Sequence, residues 1–425
     1  MSSRFDKLFY WFKLLSKFVS VQLIVQALNL ASGILIIRTL SKQEYAYFTL
    51  ANAMQATMNT LADSGISSAL SAIGGRVWQD PYRFGQLINT AMYLRRYLAV
   101  IATLIVTPIL FWMLLQNGAS IGYTLLLISA ILIELYFYLN IGVLIVVPRL
   151  YSKIDKLQQL SLLSSGSRFL FLIGGTLTIL NAVVGAFSST IASGLENLML
   201  WFYVKDTINI NSEINKEDKR EILKIVKTQA PNTIFYCIQG QITIWLITVF
   251  GNIDSIAEVG ALGRLAVIFS LITSIMTSIV LPSFSRTQSY EILIRKYKQI
   301  IFSYVFLSLI ILLLSMFFPK QLLLILGKNY SSLEKELFFF AMAAVTNAIT
   351  SILWSINASK GWTEEAWLFV PTIIITQIIL LLFLDISNII GISIFSTLSV
   401  IPASCINFYM TYKGILQTRD LQKQN

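Results

Sequence analysis

The sequence predicts an all-α integral membrane protein. It should have twelve spanning helices in two six-helix lobes related by pseudo-two-fold symmetry, with a central cavity between the lobes. Three observations carry this. Only 12% of the 425 residues are charged while 56% are hydrophobic, and a soluble chain is nearer 25% charged. Apolar runs of roughly 20 residues, enough to cross a bilayer core of about 30 Å, recur from end to end. The basic residues alternate in density from one connection to the next.

The expected spans lie at 18–40, 46–71, 94–116, 120–147, 157–179, 182–204, 228–250, 257–282, 300–319, 335–357, 364–384 and 389–412. Basic Met1–Lys17 leads into an apolar stretch, Phe18–Ile37, too long for a signal-peptide core and lacking a cleavage site after it. It is read as a retained first helix. The connection Ile73–Tyr93 mixes Arg76, Trp78, Arg83 and Phe84, as in a segment lying in the membrane interface. The longest polar connection falls at the midpoint, giving an N-terminal lobe over 1–208, a cytoplasmic linker over 209–222 and a C-terminal lobe over 223–425.

Orientation follows from the cations. Of 32 Lys and Arg, 25 fall on the side of the N-terminus, 5 on the other side and 2 inside helices. Basic loops stay in the cytoplasm, so both termini are expected there. The asymmetry disappears if one helix is added or dropped near the middle. The net charge of +11 is then a feature of the inner leaflet and not a nucleic-acid footprint. A shift of 214 residues places Ser41 and Glu44 on Ser255 and Glu258, each in the turn between the first two helices of its half. This suggests parallel six-helix repeats, a common transporter plan.

Several chemistries are excluded or made remote. There is no histidine, hence no usual general base, metal ligand or serine–histidine nucleophile. No P-loop pattern occurs. No outer connection is long enough for sugar chemistry. Cys237 and Cys405 lie in apolar runs without metal or disulfide spacing and are read as two small buried side chains. Transport is favoured over catalysis, no cofactor is expected, and no metal site.

Charges inside a membrane need a partner or a wet cavity, since each costs at least about 2.5–3.5 kcal/mol. Asp63, Glu134, Arg168, Glu196 and Arg264 are the clearest cases, with Arg38 near a helix end. Arg168, within Ser164-Ser-Gly-Ser-Arg, either binds an anionic headgroup or pairs with Glu196. Arg264 either lines a cavity or snorkels outward, and Arg38 is open to the same two readings. Guanidinium suits phosphate because its planar fork donates two hydrogen bonds at once. Asp63, Glu134 and Glu196 either balance these arginines or carry a coupling cation or proton. Tyr136, Tyr138, Asn140 and Asn197 are placed either to meet sugar hydroxyls or to bond between helices.

Arg38-Thr-Leu-Ser-Lys-Gln-Glu44-Tyr-Ala46, Ala62-Asp63-Ser-Gly65-Ile and Ala257-Glu-Val-Gly-Ala-Leu-Gly-Arg264 resemble motifs of the Wzx-type polysaccharide or O-antigen repeat-unit flippases. These belong to the multidrug/oligosaccharidyl-lipid/polysaccharide (MOP) exporter superfamily. Ala46 stands where glycine is common, a change between two small residues. The resemblance implies export of a polyprenyl-diphosphate-linked oligosaccharide from the cytoplasmic to the outer leaflet of a bacterial inner membrane. It also implies membrane lipid and possible polysaccharide-assembly proteins as partners, in lipopolysaccharide-type biosynthesis. Lipid II export, cation-coupled multidrug export, and a non-transport enzyme or assembly factor for surface glycans are the alternatives.

Overall fold

The computed structural model describes residues 2–177, 180–209, 212–266, 281–285, 287 and 289–424. These residues are helices and short connections, as the fold class requires. Nine of the helices are long and apolar enough to cross a membrane, among the described residues. Two more, α2 (Lys42–Asp63) and α7 (Ile154–Thr176), have 22 and 23 residues and so the length to span, but are more polar. α10 (Ile253–Leu265) opens the eighth expected span, whose residues 267–280 lie outside the described set. Among the described residues these give eleven of the twelve expected spans and the opening of the eighth.

The chain divides into two compact units, Met1–Ile242 and Thr243–Asn425. The division falls inside α9 (Lys216–Phe250), because the segment expected to be a linker is docked on the first unit. The Asn209 backbone N–H donates to the Pro81 carbonyl at 3.2 Å. Asn215 N–H donates to Thr90 Oγ1 at 2.9 Å, and Arg83 grips the buried Asp218 carboxylate through two hydrogen bonds of 2.5 and 2.6 Å.

In the first unit α2 is the centre. It packs on α4 (Pro81–Gln116), α5 (Ile121–Leu144) and α8 (Ala182–Lys205), while α7 joins α8 and α1 (Ser2–Thr39). Because protein surrounds α2, it has no need of a wholly apolar surface. Its polar side chains Thr49 and Thr57 bond their own backbone carbonyls four residues back. Ser41 caps α2, accepting from the Glu44 N–H. The Glu44 carboxylate takes hydrogen bonds from the Tyr123 hydroxyl and from the Ala182 N–H at 2.7 Å, anchoring the start of α8. In the second unit the cap of α10 is Asn252, accepting from Ser255 N–H at 2.8 Å. Matching helix starts are thus offset by 211 residues, Ser41 to Asn252, and the 214-residue shift sets a cap against a residue inside a helix.

The second expected helix, 46–71, is broken. Ser64 (φ 38°) and Gly65 (φ +98°) are both left-handed and end α2, and α3 (Ile66–Val77) begins a new direction. A Cβ at Gly65 would stand 2.5 Å from Gln229 Oε1, so glycine serves there both for its φ and for close approach. The connection read as an interfacial anchor is instead the end of α3, a turn and the first thirteen residues of α4. The α4 start is capped by Asp80, with Pro81 at the first helical position. α3 contributes Ile66, Leu70 and Ile73 to a core shared with Phe84, Leu87, Val147, Leu200 and Ile222. α6 (Val146–Leu150) continues α5 at this end of the unit.

The second unit also holds α11 (Leu281–Ser285), α12 (Tyr290–Phe317), α13 (Pro319–Leu326), α14 (Glu334–Lys360), α15 (Phe369–Phe383) and α16 (Ile389–Gln424). α14 and α16 form its main pair. A buried polar network joins them: Asn357 Nδ2 donates to Asn407 Oδ1 (3.0 Å) and Asn407 O (2.9 Å), and Thr411 Oγ1 donates to Asn357 Oδ1 (2.8 Å). In hydrocarbon such groups must satisfy one another. Large apolar side chains such as Phe302, Leu382 and Phe383 stand exposed, as expected where lipid is the solvent. Cys237 is buried as expected, while Cys405 faces outward, since an apolar side chain in lipid loses nothing by leaving the core.

Candidate functional site

Four helices of the first unit bring polar side chains together around Glu134 on α5. Its carboxylate is hydrogen-bonded by Gln55 of α2 and Ser193 of α8, and it lies in the field of Arg168 on α7. Glu196, one turn further along α8 from Ser193, is hydrogen-bonded by Ser164, one turn before Arg168. Gln55 is buried, and Glu134, Arg168 and Glu196 are each half-buried. The sequence placed these charges on separate helices, and the fold gathers them. Its choice of Glu196 as the structural partner of Arg168 is thereby joined by an alternative, Glu134, which lies in the field of Arg168.

Asp63 ends α2 at the helix break. It accepts from Ser67 Oγ (2.5 Å) and Ser67 N–H (3.3 Å), and its Oδ1 lies 3.4 Å from Arg95 Nη2. Arg95 is the largest fully buried side chain among the described residues, 2% exposed. Its Nε and Nη1 are buried without an acceptor among the described residues. Its guanidinium lies 5.7 Å from the centre of the Tyr138 ring. Gly142 makes room for it, since a Cβ there would fall 2.2 Å from Arg95 Nη1. Sequence reading counted Arg95 and Arg96 among the basic residues of the connection before the third span, although both stand at the start of 94–116. The Asp80-Pro81 helix-start signal was the clue that α4 begins thirteen residues sooner.

Asn140 lines a second feature, a pocket of about 560 Å³ with Asn89, Tyr93, Arg96, Tyr136, Asn197 and Trp201, closed by residues 212–214. Arg96 Nη2 donates to Asn140 Oδ1 at 3.5 Å. A third, about 450 Å³, lies between α2 and α9, lined by Thr60, Gln229, Asn232, Tyr236 and Cys237. Neither Asn89 nor residues 212–214 carried a sequence signal, because the connection looked like a free linker. Arg38 lies in the last turn of α1 and is exposed. Arg264, expected in the first turns of its helix, is in the last turn of α10, half-buried, in the second unit. Among the described residues no group of acids, histidines or cysteines is suited to a metal.

No protein-family model matches the sequence, and no curated protein matches it. Solved structures match by fold. One is the inward-facing conformation of a multidrug resistance MATE family transporter of the MOP superfamily, with a TM-score of 0.73, 16% identity, and 95% of this chain and 99% of that chain covered. Another is the lipid II flippase MurJ in an inward closed conformation, with a TM-score of 0.73, 14% identity, and 94% and 89% covered. A third is a MOP superfamily transporter from Pyrococcus furiosus described as having a binding pocket of reverse polarity that suggests a different function. Its TM-score is 0.64, with 16% identity and 95% of each chain covered. At these identities the likeness is one of fold, the twelve-span, two-lobe fold of these transporters and flippases. The chain is a multi-pass membrane protein of that fold.

Proposed function

We propose that the chain is a flippase, translocating a polyprenyl-diphosphate-linked oligosaccharide from the cytoplasmic to the outer leaflet of a bacterial inner membrane by alternating access. The observation that carries this reading is a guanidinium, Arg168, held within a spanning helix among polar groups from three others. A diphosphate cannot enter hydrocarbon without an exchange of its hydration for fixed donors, and arginine supplies two in one plane. Arg264 and Arg38 serve the same anionic headgroup in this reading. Tyr138 contacts sugar hydroxyls, while Asn140, in the pocket with Arg96, is not needed for that contact. Glu134 and Glu196 balance or couple the charge on Arg168, and Asp63 balances Arg95. The cytoplasmic placement of both termini rests on the distribution of basic residues.

The test is translocation in liposomes. Purified protein should move a labelled polyprenyl-diphosphate disaccharide between leaflets without chemical change, and Arg168→Ala should slow it at least tenfold at equal protein density. A new covalent product, or wild-type liposomes no faster than empty ones, refutes the proposal. Transport of a cationic dye, unaffected by Arg168→Ala, would instead assign multidrug export. Rates that ignore imposed ion and pH gradients would remove the coupling role of the acids.

A further inference from the structure

The pocket around Asn140 shares no lining residue with the Glu134 cluster, and its chemistry differs. It is set between α4, α5 and α8 at the end of the first unit where residues 212–214 dock. Arg96 is fifteen residues into α4, about 22 Å from its start. The 20 residues from 97 to the helix end then span about 30 Å, the thickness of the hydrocarbon core. Asn140 is about 28 Å from the other end of α5, and Trp201 about 28 Å along α8. Three independent helices therefore put this pocket at one boundary of the hydrocarbon, the level of lipid headgroups. Exposed Tyr93, Tyr136 and Trp201 fit that level. So do two flanking cations: Lys219 lies 5.1 Å from the Tyr93 ring centre and Lys205 5.2 Å from that of Trp201.

We propose that this pocket is a binding site for the headgroup of an anionic phosphodiester lipid that bears free hydroxyls, such as phosphatidylglycerol. Arg96 is exposed and has no carboxylate within 4 Å among the described residues, so its fork is open to a phosphate. The wall behind it is built of amides. Asn140 is 7% exposed, and Asn197 Oδ1 is buried without a donor among the described residues. Asn89 Nδ2 holds the Ser212 carbonyl at 2.7 Å, fixing the segment that closes the pocket. That segment brings Glu213 to the lining. Arg96, with Lys205 and Lys219 flanking the pocket, outweighs the one carboxylate, Glu213, and the carboxylate and amide oxygens accept from hydroxyls. None of the residues around Glu134 and Arg168 lines the pocket. The proposal is thus separate from the transported headgroup and stands or falls without it.

The experiment uses delipidated full-length protein in detergent and native mass spectrometry with added phosphatidylglycerol or phosphatidylcholine. Phosphatidylglycerol should bind at least tenfold more tightly. Arg96→Gln should bring it to the phosphatidylcholine level, and so should Ile214→Trp, which fills the pocket from an exposed position and leaves the arginine in place. Arg76→Ala, an exposed arginine paired with Glu221 outside the pocket, should retain it. Equal binding of the two lipids, or retention of phosphatidylglycerol by folded Arg96→Gln and Ile214→Trp, overturns the proposal. Displacement of phosphatidylglycerol by equimolar polyprenyl-diphosphate disaccharide would also overturn it, reassigning the pocket to the transported headgroup.

Discussion

Replacing Asp63 by Asn removes the one counter-charge, among the described residues, of the deeply buried cation Arg95. Arg95 is 2% exposed, and its nearest carboxylate oxygen is 3.4 Å away. At an effective dielectric constant of about 20, two unit charges at that separation attract by about 5 kcal/mol. The desolvation of both groups offsets part of this. Breaking a buried pair from one side costs about 3–5 kcal/mol because it strands the other charge. The Asp63 side chain is 29% exposed, so the low end, about 3 kcal/mol, is expected for Asp63→Asn. In a unit of this size each kcal/mol moves the melting temperature by about 2–4 °C, so the transition should fall by roughly 6–12 °C. Arg95→Met strands instead a carboxylate that keeps its Ser67 hydrogen bonds and should cost less, about 1–2 kcal/mol. In the double variant no charge is stranded, and its stability should lie close to that of Arg95→Met, a coupling of at least about 1.5 kcal/mol. Thermal unfolding of the four proteins in one detergent measures this cycle. Additive single losses, or a shift under about 2 °C for Asp63→Asn, would show that Arg95 is satisfied by other groups and refute the reasoning.

Two further outcomes follow from close approaches and buried networks. Gly142→Ala should destabilise by about 1–3 kcal/mol, because its Cβ would meet Arg95 Nη1 at 2.2 Å; the loss should shrink when tested in the Arg95→Met background, by the same melting assay. Asn357→Leu should cost about 2–3 kcal/mol, since Asn407 Oδ1 then loses its donor in a fully buried site, whereas Ser351→Ala on the exposed side of the same helix should change little.

How much was legible is seen residue by residue. Runs such as 120–147 and 182–204 read correctly because lipid demands continuous apolar surface, and that demand is written in composition. α4 was misjudged at its start because its first thirteen residues are packed on α3, Asn209 and residues 212–215 and not on lipid, so they need not be apolar. The break at Ser64–Gly65 was hidden within an apolar run, because what ends the helix there is a backbone conformation and hydropathy does not record it. Glu134, Arg168 and Glu196 were found as isolated costs. Gln55 and Ser193 were missed, since an uncharged polar residue in a helix raises no alarm until its neighbour is known.

What the sequence determined by itself is the membrane class and the span number, both of which follow from the free energy of single segments in water and hydrocarbon. Only the tertiary structure decided which charge meets which. Asp63 faces Arg95, Glu134 takes up Gln55, Ser193 and the field of Arg168, and residues 212–214 close a pocket with Arg96 and Asn140. A helix of known length still has a rotation about its axis and a choice of neighbours. Those are set by close packing among many side chains at once, and no local segment contains that information.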